Sequence, residues 1–361
     1  MSRWFLLAGV VLLLPVFATT SEAAPSTTYT PCQRVSLPAW SPDGNQIVYY
    51  GTRWPRPTGG GNPNSILQAY CTMGADGSSP QPLAHTVCSE KCQDPPGQIV
   101  WLKPDEILYL VDGGPIHRLT PGSKPTTLTT INAESFAIDT AQTRIASGAN
   151  FSGCVTCSGP VSIHSLATGR QTGAVGGSKF DNMYPSLSPD GKRVVFERDP
   201  DTDTGKTLGL WIANSNGTQV RQFVKDGHQP LWSPASNRIV YRALSGQTTT
   251  LRVKFAAARK SRLLVPKNVE NVFGWSPDGK YIAFESGTGT FGKLSLVNVA
   301  TGAVRHLLPL KYAPTANWSA DSSKLVVNTI TAVNSKGNER CWATYVVPAD
   351  GSTPTQISTC S

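Results

Sequence analysis

One short acidic segment of the 361-residue sequence has the spacing of a calcium-binding turn. Asp199, Asp201 and Asp203 stand at alternate positions, and carboxylates spaced in this way can converge on Ca²⁺. The glycine that such a loop uses comes one position late, at Gly205, and Leu210 stands where a bidentate glutamate would be. The segment therefore fits a solvated acidic turn better than a metal site, and it is only a weak calcium candidate.

Eight cysteines are a second source of chemistry: Cys32, Cys71, Cys88, Cys92, Cys154, Cys157, Cys341 and Cys360. An even number outside the reducing cytosol indicates disulfides. The close pairs Cys88–Cys92 and Cys154–Cys157 could instead bind a metal or act in redox chemistry. A structural zinc site uses two tight knuckles at short separation, and a long stretch of chain separates these two pairs. Disulfides are therefore the favoured prediction.

The chain has a formal charge of +9, and a group of its cations is clustered: Arg252, Lys254, Arg259, Lys260 and Arg262. Arg252 and Lys254 alternate with apolar residues, so they project from one side of a strand. The cluster could bind an anionic partner such as an acidic polysaccharide, an envelope polymer or an acidic protein face, or it could be a solubilising sheet edge. Aromatic residues are not interleaved with these cations, so nucleic acid is not an expected partner.

Common catalytic signatures are missing from the sequence. It contains no Gly-x-Ser-x-Gly elbow, no His-Glu-x-x-His motif and no Walker-type phosphate loop. No two of the five histidines lie at the spacing of zincin ligands. The motifs therefore predict no catalytic residue and no cofactor.

The elements that must position these residues are indicated by composition. Charged residues make up 15% of the chain and hydrophobic residues 39%, with 33 glycines and 28 prolines. Too few charges are present to keep the chain disordered, and glycine and proline at this density exclude coiled coils and helical bundles. The composition predicts a turn-dense, all-β protein.

The first 24 residues have the pattern of a signal peptide. Arg3 precedes an apolar run over residues 4–18, and the small-residue pattern Ser21-Glu22-Ala23 follows. The run is shorter than the roughly twenty residues that a spanning helix needs, and no cysteine follows it closely enough for a lipid anchor. We expect cleavage near Ala23 or Ala24, a secreted or periplasmic location, and no transmembrane segment afterwards. Residues 25–34 would then form a short segment before the folded domain.

A repeated pentapeptide is the strongest signal in the sequence. Trp40-Ser41-Pro42-Asp43-Gly44 recurs at 187–191 and 275–279, each time before an apolar run such as Tyr281-Ile282-Ala283-Phe284. Pro and Gly favour a tight turn between two strands, and successive apolar residues indicate a strand buried on both faces. Weaker copies extend the series to seven anchors, at Trp40, Trp101, Phe136, Leu187, Trp232, Trp275 and Trp318.

Four short strands per period of about 43 residues predict a β-propeller of four-stranded antiparallel blades over residues 35–361. Seven blades are expected, with six or eight as alternatives because the third copy is degenerate. The Trp-Ser-Pro-Asp-Gly-x-x-Ile-Ala-Phe pattern resembles that of the TolB-like, WD-repeat-related β-propeller family over about residues 35–358. The resemblance implies this fold, but TolB carries an α/β domain before its propeller that is not expected here, so its role in the Tol–Pal system is not carried over.

The innermost strand of each propeller blade lines the central channel, so the residues at its start surround one mouth. Alignment on the anchors places mostly polar residues at this mouth. Eight of them are candidate ligand-binding residues: Glu134, Asp181, Asn182, Tyr184, His228, Gln229, Glu270 and Asn271. They could form a ligand-binding mouth or a rim that is polar because water fills the channel.

The anchors also suggest which cysteines are neighbours. Cys32 precedes the first blade and Cys360 is the penultimate residue, so a Cys32–Cys360 disulfide would join the first blade to the last. Cys71 and Cys341 fall in the third-strand regions of the first and seventh blades and are a second candidate pair. Cys154–Cys157 and Cys88–Cys92 could each close a small loop.

Two functions fit these features. The favoured hypothesis is an exported, monomeric binding or scaffold propeller that presents a loop-lined face to a protein or an anionic envelope polymer. The alternative is a polysaccharide lyase-like enzyme that acts on acidic oligosaccharides, because oligogalacturonate lyases resemble this chain in fold. Those enzymes use histidines around a metal, and only His228 lies among the predicted mouth residues, which weakens the alternative.

Overall fold

The computed structural model describes residues 32–53, 67–83, 88–89, 96–111, 114–130, 132–148, 158–200, 208–245, 248–288, 291–311, 314–333 and 340–358. Within these ranges every regular element is a β-strand, and no helix is long and apolar enough to cross a membrane. The strands form seven antiparallel sheets, and each sheet is built from consecutive strands of the chain. The protein is therefore a seven-bladed β-propeller, as the repeats predict.

The first three blades occupy the N-terminal half of the chain. Blade 1 contains β1 (Arg34–Trp40), β2 (Gln46–Arg53), β3 (Leu67–Gly74) and β4 (Gln81–Pro82), with β5 (Cys88–Ser89) also paired to β3. Blade 2 contains β6 (Pro96–Lys103), β7 (Glu106–Val111), β8 (Ile116–Leu119) and β9 (Thr126–Thr127). Blade 3 contains β10 (Phe136–Ile138), β11 (Arg144–Ser147), β12 (Val161–Ser165) and β13 (Gln171–Val175).

The other four blades follow at regular spacing. Blade 4 contains β14 (Phe180–Leu187), β15 (Arg193–Pro200), β16 (Leu210–Asn214) and β17 (Arg221–Val224). Blade 5 contains β18 (Gly227–Trp232), β19 (Arg238–Ser245), β20 (Thr248–Phe255) and β21 (Arg262–Val265). Blade 6 contains β22 (Val269–Trp275), β23 (Tyr281–Thr288), β24 (Phe291–Asn298) and β25 (Val304–Lys311). Blade 7 contains β26 (Thr315–Trp318), β27 (Lys324–Val333), β28 (Arg340–Pro348) and β29 (Thr355–Ser358).

A serine–aspartate pair closes the turn between the first and second strands of four blades. In blade 6 the Ser276 hydroxyl donates to Asp278 at 2.6 Å and accepts the backbone N–H of Tyr281 at 2.9 Å. The same two bonds recur at Ser41, Ser188 and Ser319. In blade 7 the Ser319 and Ser323 hydroxyls lower the pKa of Asp321 to about 2, so the carboxylate stays ionised. Because blade 7 keeps the serine and aspartate but lacks the proline and glycine, the Ser–Asp pair is the more persistent part of the motif.

Seven separate apolar clusters hold the ring together, one at each contact between neighbouring blades. Successive residues of the second strand of blade 6, β23, belong to different clusters. Ile282 and Phe284 pack against blade 5, whereas Ala283 between them packs against blade 7. This alternation confirms that the apolar runs are strands buried on both faces.

Arginines on the third strand of blade 2 and on the fourth strands of blades 4, 5 and 6 add polar contacts between blades. Arg118 donates to the backbone carbonyl of Leu166 in blade 3 at 2.5 Å, and Arg221 donates to that of Ala256 in blade 5 at 3.1 Å. Arg262 and Arg305 make the same contact from blades 5 and 6 to the next blade. In every case the acceptor lies at the turn between the third and fourth strands of the neighbour, which we call the outer turn.

The contact between blades 7 and 1 closes the ring, and we call it the seam. The buried side-chain amide of Asn328 donates to the carbonyl of Val35 at 2.8 Å, and that of Asn317 donates to the carbonyl of Pro38 at 2.8 Å. The Lys324 ammonium lies 4.6 Å from the centre of the Trp40 ring. Among the described residues, the contacts that join these two blades are hydrogen bonds, a cation–π contact and apolar packing.

The disulfide at this position corrects two predictions from the sequence. Cys32 is bonded to Cys71 within blade 1, with the two Cα atoms 5.8 Å apart. The proposed Cys32–Cys360 and Cys71–Cys341 pairs are therefore wrong, because the chain before β1 passes over β2 and reaches β3 instead of the last blade. Both sulfurs lie in the apolar cluster that faces blade 7. The side chains of the other six cysteines lie outside the described part of the chain, so Cys154–Cys157 and Cys88–Cys92 stay predictions.

We predict that Cys32→Ser combined with Cys71→Ser lowers the free energy of unfolding by about 2–4 kcal/mol, because the crosslink removes conformational entropy from the unfolded chain. Urea denaturation followed by tryptophan fluorescence measures the loss. The single variant Cys71→Ser is the control and should lose the same amount, since either change removes the bond. A loss below about 1 kcal/mol would contradict a stabilising role for this disulfide.

Candidate functional site

A channel cavity of about 610 Å³ lies at the centre of the ring. The first strand of each blade is innermost, because first strands of neighbouring blades contact one another (β1 with β6 and with β26, β14 with β18). The residues that line the cavity come from blades 1, 2, 5, 6 and 7 and include Leu37, Gln98, Gln229, Asn271, Thr315 and Asn317. The side chains named here are mostly amides and other uncharged groups, so the charged groups lie around the cavity and not within its wall.

A bulge in the first strand sets the side chains at this mouth. Leu37, Tyr184 and Gln229 occupy corresponding positions in blades 1, 4 and 5 and have φ values of +50°, +46° and +48°. Each one interrupts the pairing with the second strand and precedes a proline. A left-handed conformation is uncommon for residues with a β-carbon, and a bulge redirects the side chain that it carries. Leu37 and Gln229 thereby line the cavity, and Tyr184 exposes 42% of its surface.

A carboxylate–imidazole contact at the mouth joins blades 4 and 5. His228 Nδ1 lies 2.7 Å from Glu197 Oε1, and the backbone N–H of Gln229 donates to Glu197 Oε2 at 3.0 Å. Both oxygens of a buried carboxylate are thus used by the bulge of the next blade. The hydrogen bond that Glu197 accepts from the ring raises the pKa of His228 above its usual value, in opposition to burial and to the charge of Arg242.

A guanidinium connects this pair to blade 6. Arg242 donates to the side-chain carbonyl of Gln229 at 3.1 Å, and Glu270, Glu197 and Glu285 are its electrostatic neighbours. Burial lowers the pKa of Arg242, and the three carboxylates oppose that shift. The Asn271 amide donates to Glu285 at 2.6 Å, while burial of Glu285 raises the pKa of its carboxyl group.

Tyr184 lies on the blade 4 side of the same network. Its pKa is raised by burial and then by the carboxylates of Glu197, Glu134 and Asp199. Asp199 faces Asp181 across the β14–β15 pair. The carboxylates around Arg242, His228 and Tyr184 are therefore five, those of Glu134, Glu197, Asp199, Glu270 and Glu285. This mouth of the channel is acidic although the chain as a whole is basic.

Asn182 has a different environment from the other predicted mouth residues. Its side chain is fully buried, and its amide donates to the carbonyls of Gly159, Gly177 and Phe180. Its oxygen accepts from Arg198, whose guanidinium lies 4.1 Å from the centre of the Trp211 ring. These contacts join blades 3 and 4, so we assign Asn182 a structural role.

The structure thus brings Tyr184, His228, Gln229, Glu270 and Asn271 together, with Glu134 nearby. Three residues of the mouth network were not among the candidates from the sequence: Glu197, Arg242 and Glu285. They occupy one position on the second strands of blades 4, 5 and 6, directly after the aromatic residue of each repeat. A charge that follows an otherwise apolar run is the signal that could have revealed them.

The remaining sequence candidates are the calcium turn and the cationic cluster. Asp201 and Asp203 of the weak calcium candidate lie outside the described residues. Within the described ranges, no group of three or more His, Cys, Asp or Glu side chains could hold a metal ion. The cationic cluster of residues 252–262 lies on the two outer strands of blade 5 and on the turn between them.

Comparisons with known proteins give structural similarity alone. No protein-family model matches the chain, and no curated protein matches its sequence. TolB from Acinetobacter baumannii superposes with a TM-score of 0.51 at 15% identity, over 86% of this chain and 82% of that one. The resemblance to TolB propellers is confirmed. At this level of identity it establishes the fold and not the activity.

Two enzymes share the same architecture. An oligogalacturonate lyase in complex with manganese superposes with a TM-score of 0.64 at 13% identity, over 88% of this chain and 90% of that one. A puromycin-hydrolyzing peptidase from Mycobacterium tuberculosis superposes with a TM-score of 0.63 at 12% identity, over 91% of this chain. Only 54% of the peptidase is covered, so this chain corresponds to about half of that protein.

We predict that Glu197→Gln lowers the pKa of His228, because burial and Arg242 then act without the opposing carboxylate. A pKa that is raised on folding gives stability that is complete below the unfolded value near 6.5 and is lost as pH rises through the folded value. The destabilisation by Glu197→Gln should therefore be larger in mildly acidic solution than at alkaline pH. NMR titration of the histidine ring protons measures the pKa.

Glu285→Gln is the matched control, since it removes a mouth carboxylate that does not contact His228. His228→Asn identifies the resonance. An unchanged pKa in the Glu197→Gln variant would contradict the contact between blades 4 and 5.

Proposed function

We propose that the chain is an exported, non-enzymatic binding protein whose channel mouth and surrounding face dock a protein or an envelope polymer. The observation that carries this proposal is the network of Glu197, His228, Arg242 and Glu285, which three blades hold at the edge of the cavity. Burial of ionisable groups costs free energy unless the groups are paired, and clusters of such groups in a cleft are typical of functional sites. A propeller supplies the rigid frame that such a binding surface needs.

The polar groups of the mouth favour binding over catalysis. Glu197 uses both carboxylate oxygens in hydrogen bonds to blade 5, and Asn271 uses its amide in a hydrogen bond to Glu285 within blade 6. Serine–histidine pairs within the described ranges do not adjoin the cavity. His164 and Ser147 are buried, and Ser295, which lies 2.8 Å from His306, is buried on the outer strands of blade 6. A nucleophile needs access to its substrate as well as a nearby base.

Exposed apolar residues support a docking role for the same face. Antiparallel pairing places the start of the first and third strands and the end of the second at one face of the ring. Leu244 and Phe291, which are 61% and 65% exposed, therefore share this face with Tyr184. Aromatic and other large apolar side chains near a polar centre are typical of protein interfaces.

Export is supported by two observations. The Cys32–Cys71 disulfide fits an oxidising compartment, and the first 24 residues have the pattern of a signal peptide. A location outside the cytoplasm is part of the proposal.

The lyase-like alternative has less support. It rests on the similarity to oligogalacturonate lyase, which is a similarity of fold. An acidic sugar would have to approach a mouth where carboxylates outnumber cations. The carboxylates of the sugar and of the protein would then repel each other.

We predict that replacing Tyr184, Leu244 and Phe291 with alanine reduces capture of a partner about tenfold or more, because each exposed side chain is a candidate anchor of the interface. The measurement is affinity capture from an envelope extract, quantified by mass spectrometry. Val220→Ala with Val304→Ala is the control, since both valines are exposed at the opposite face. Failure to capture any reproducible partner, or equal losses in variant and control, would contradict the proposal.

A further inference from the structure

Almost all of the net charge of the protein lies in one blade. Residues 227–269, which form blade 5 and its links, contain none of the 23 acidic residues and eight of the 32 Lys and Arg residues. The eight cations are Arg238, Arg242, Arg252, Lys254, Arg259, Lys260, Arg262 and Lys267. The blade therefore carries +8 of the formal +9, and the other six blades together are close to neutral.

Some of these cations have structural tasks, but those tasks do not neutralise them. Lys254 donates to the carbonyl of Phe223 at 2.7 Å, and Arg262 donates to carbonyls of blade 6. Arg252 lies 3.4 Å from the hydroxyl of Ser261. A carbonyl or hydroxyl satisfies an N–H group without cancelling its positive charge. At the mouth, carboxylates offset the charge of Arg242. Elsewhere the electrostatic field of the blade stays positive.

The outer turn of blade 5 differs from the other six outer turns. In blades 1, 2, 3, 4, 6 and 7 this turn contains a glycine with positive φ, namely Gly77, Gly122, Gly169, Gly217, Gly302 and Gly351. Residues 256–261 of blade 5 have the sequence Ala-Ala-Ala-Arg-Lys-Ser and no residue with positive φ. Four of the other six outer turns contain no cation, and those of blades 2 and 3 contain one each, Lys124 and Arg170. Turn formation therefore does not account for the adjacent pair Arg259 and Lys260.

The same turn exposes apolar groups beside its cations. Phe255 and Leu263, on either side of the turn, are 56% and 45% exposed. Arg259 and Lys260 between them are exposed too. Arginine and aromatic side chains are enriched in protein–protein interfaces, and a guanidinium matches the geometry of a carboxylate. An acidic protein segment that also carries apolar side chains would use both the cations and the neighbouring phenylalanine and leucine.

We propose that the outer turn of blade 5, residues 255–263, is a docking surface for an acidic segment of a partner protein. This inference rests on the proposed function, since it names the chemistry of a partner. The surface lies at the face opposite to the acidic mouth, because outer turns and channel mouth residues are at opposite ends of the strands. The two surfaces can therefore be tested separately.

The test is fluorescence anisotropy of a labelled short peptide rich in glutamate and phenylalanine, at physiological ionic strength. We expect saturable binding to the wild-type protein and a loss of about tenfold in affinity for Arg259→Glu with Lys260→Glu. Phe255→Ala with Leu263→Ala should weaken the same peptide, because the apolar contact is part of the recognition. Circular dichroism confirms that each variant is folded.

Lys124→Glu with Lys179→Glu is the matched control. Both lysines are exposed, Lys124 lies in the outer turn of blade 2, and the pair changes the net charge by the same amount. The control should bind the peptide as the wild-type protein does. An equal loss of affinity in the control would show that net charge alone determines peptide binding, and it would overturn the proposal.

Polygalacturonate and vesicles of anionic phospholipid are the competing ligands. One of them could bind more tightly than the peptide and lose this binding in Arg259→Glu with Lys260→Glu. That result would overturn the protein partner in favour of a glycan or a membrane. Absence of saturable peptide binding would overturn the proposal as well. If envelope capture still depends on Tyr184, Leu244 and Phe291 in that case, the proposed function stands without this inference.

Discussion

A ring of seven blades holds its shape only if the last blade packs on the first as firmly as every other pair. Each of the other contacts joins blades that are consecutive in the chain, whereas the seam joins the two ends of the domain. Asn328 and Asn317 supply its hydrogen bonds, and Val326 packs into the apolar cluster of blade 1. Every position at the mouth depends on this closure, because the inner strands of several blades surround one cavity.

The mouth itself depends on a contact of the same kind. Glu197 of blade 4 holds the backbone of Gln229 and the ring of His228 in blade 5. Arg242 bonds to Gln229 within blade 5 and interacts electrostatically with Glu270 and Glu285 of blade 6. Charge is distributed unevenly as a result. Carboxylates collect at one end of the channel, while uncompensated cations occupy the outer part of blade 5. A small change in blade packing would alter both the geometry and the protonation of this site.

The repeat predicted the fold from sequence because each copy contains its own turn chemistry and its own two-faced strand. Ser276 and Asp278 form their contact within a single turn, so a local pattern was sufficient. Glu197, Arg242 and Glu285 of the mouth network were not predicted from the sequence. Their positions depend on the register of the second strands and on contacts with neighbouring blades, which no local pattern specifies. The pairing of Cys32 depended on the path of the chain across β2, which no local pattern specifies.

Peptide mapping by mass spectrometry without reduction tests closure by packing most directly. We expect Cys32 to be recovered linked to Cys71, because the disulfide lies within blade 1 and the seam is held by hydrogen bonds and apolar contacts. Recovery of Cys32 linked to Cys360 would contradict it, because a covalent bond would then join the two ends of the ring.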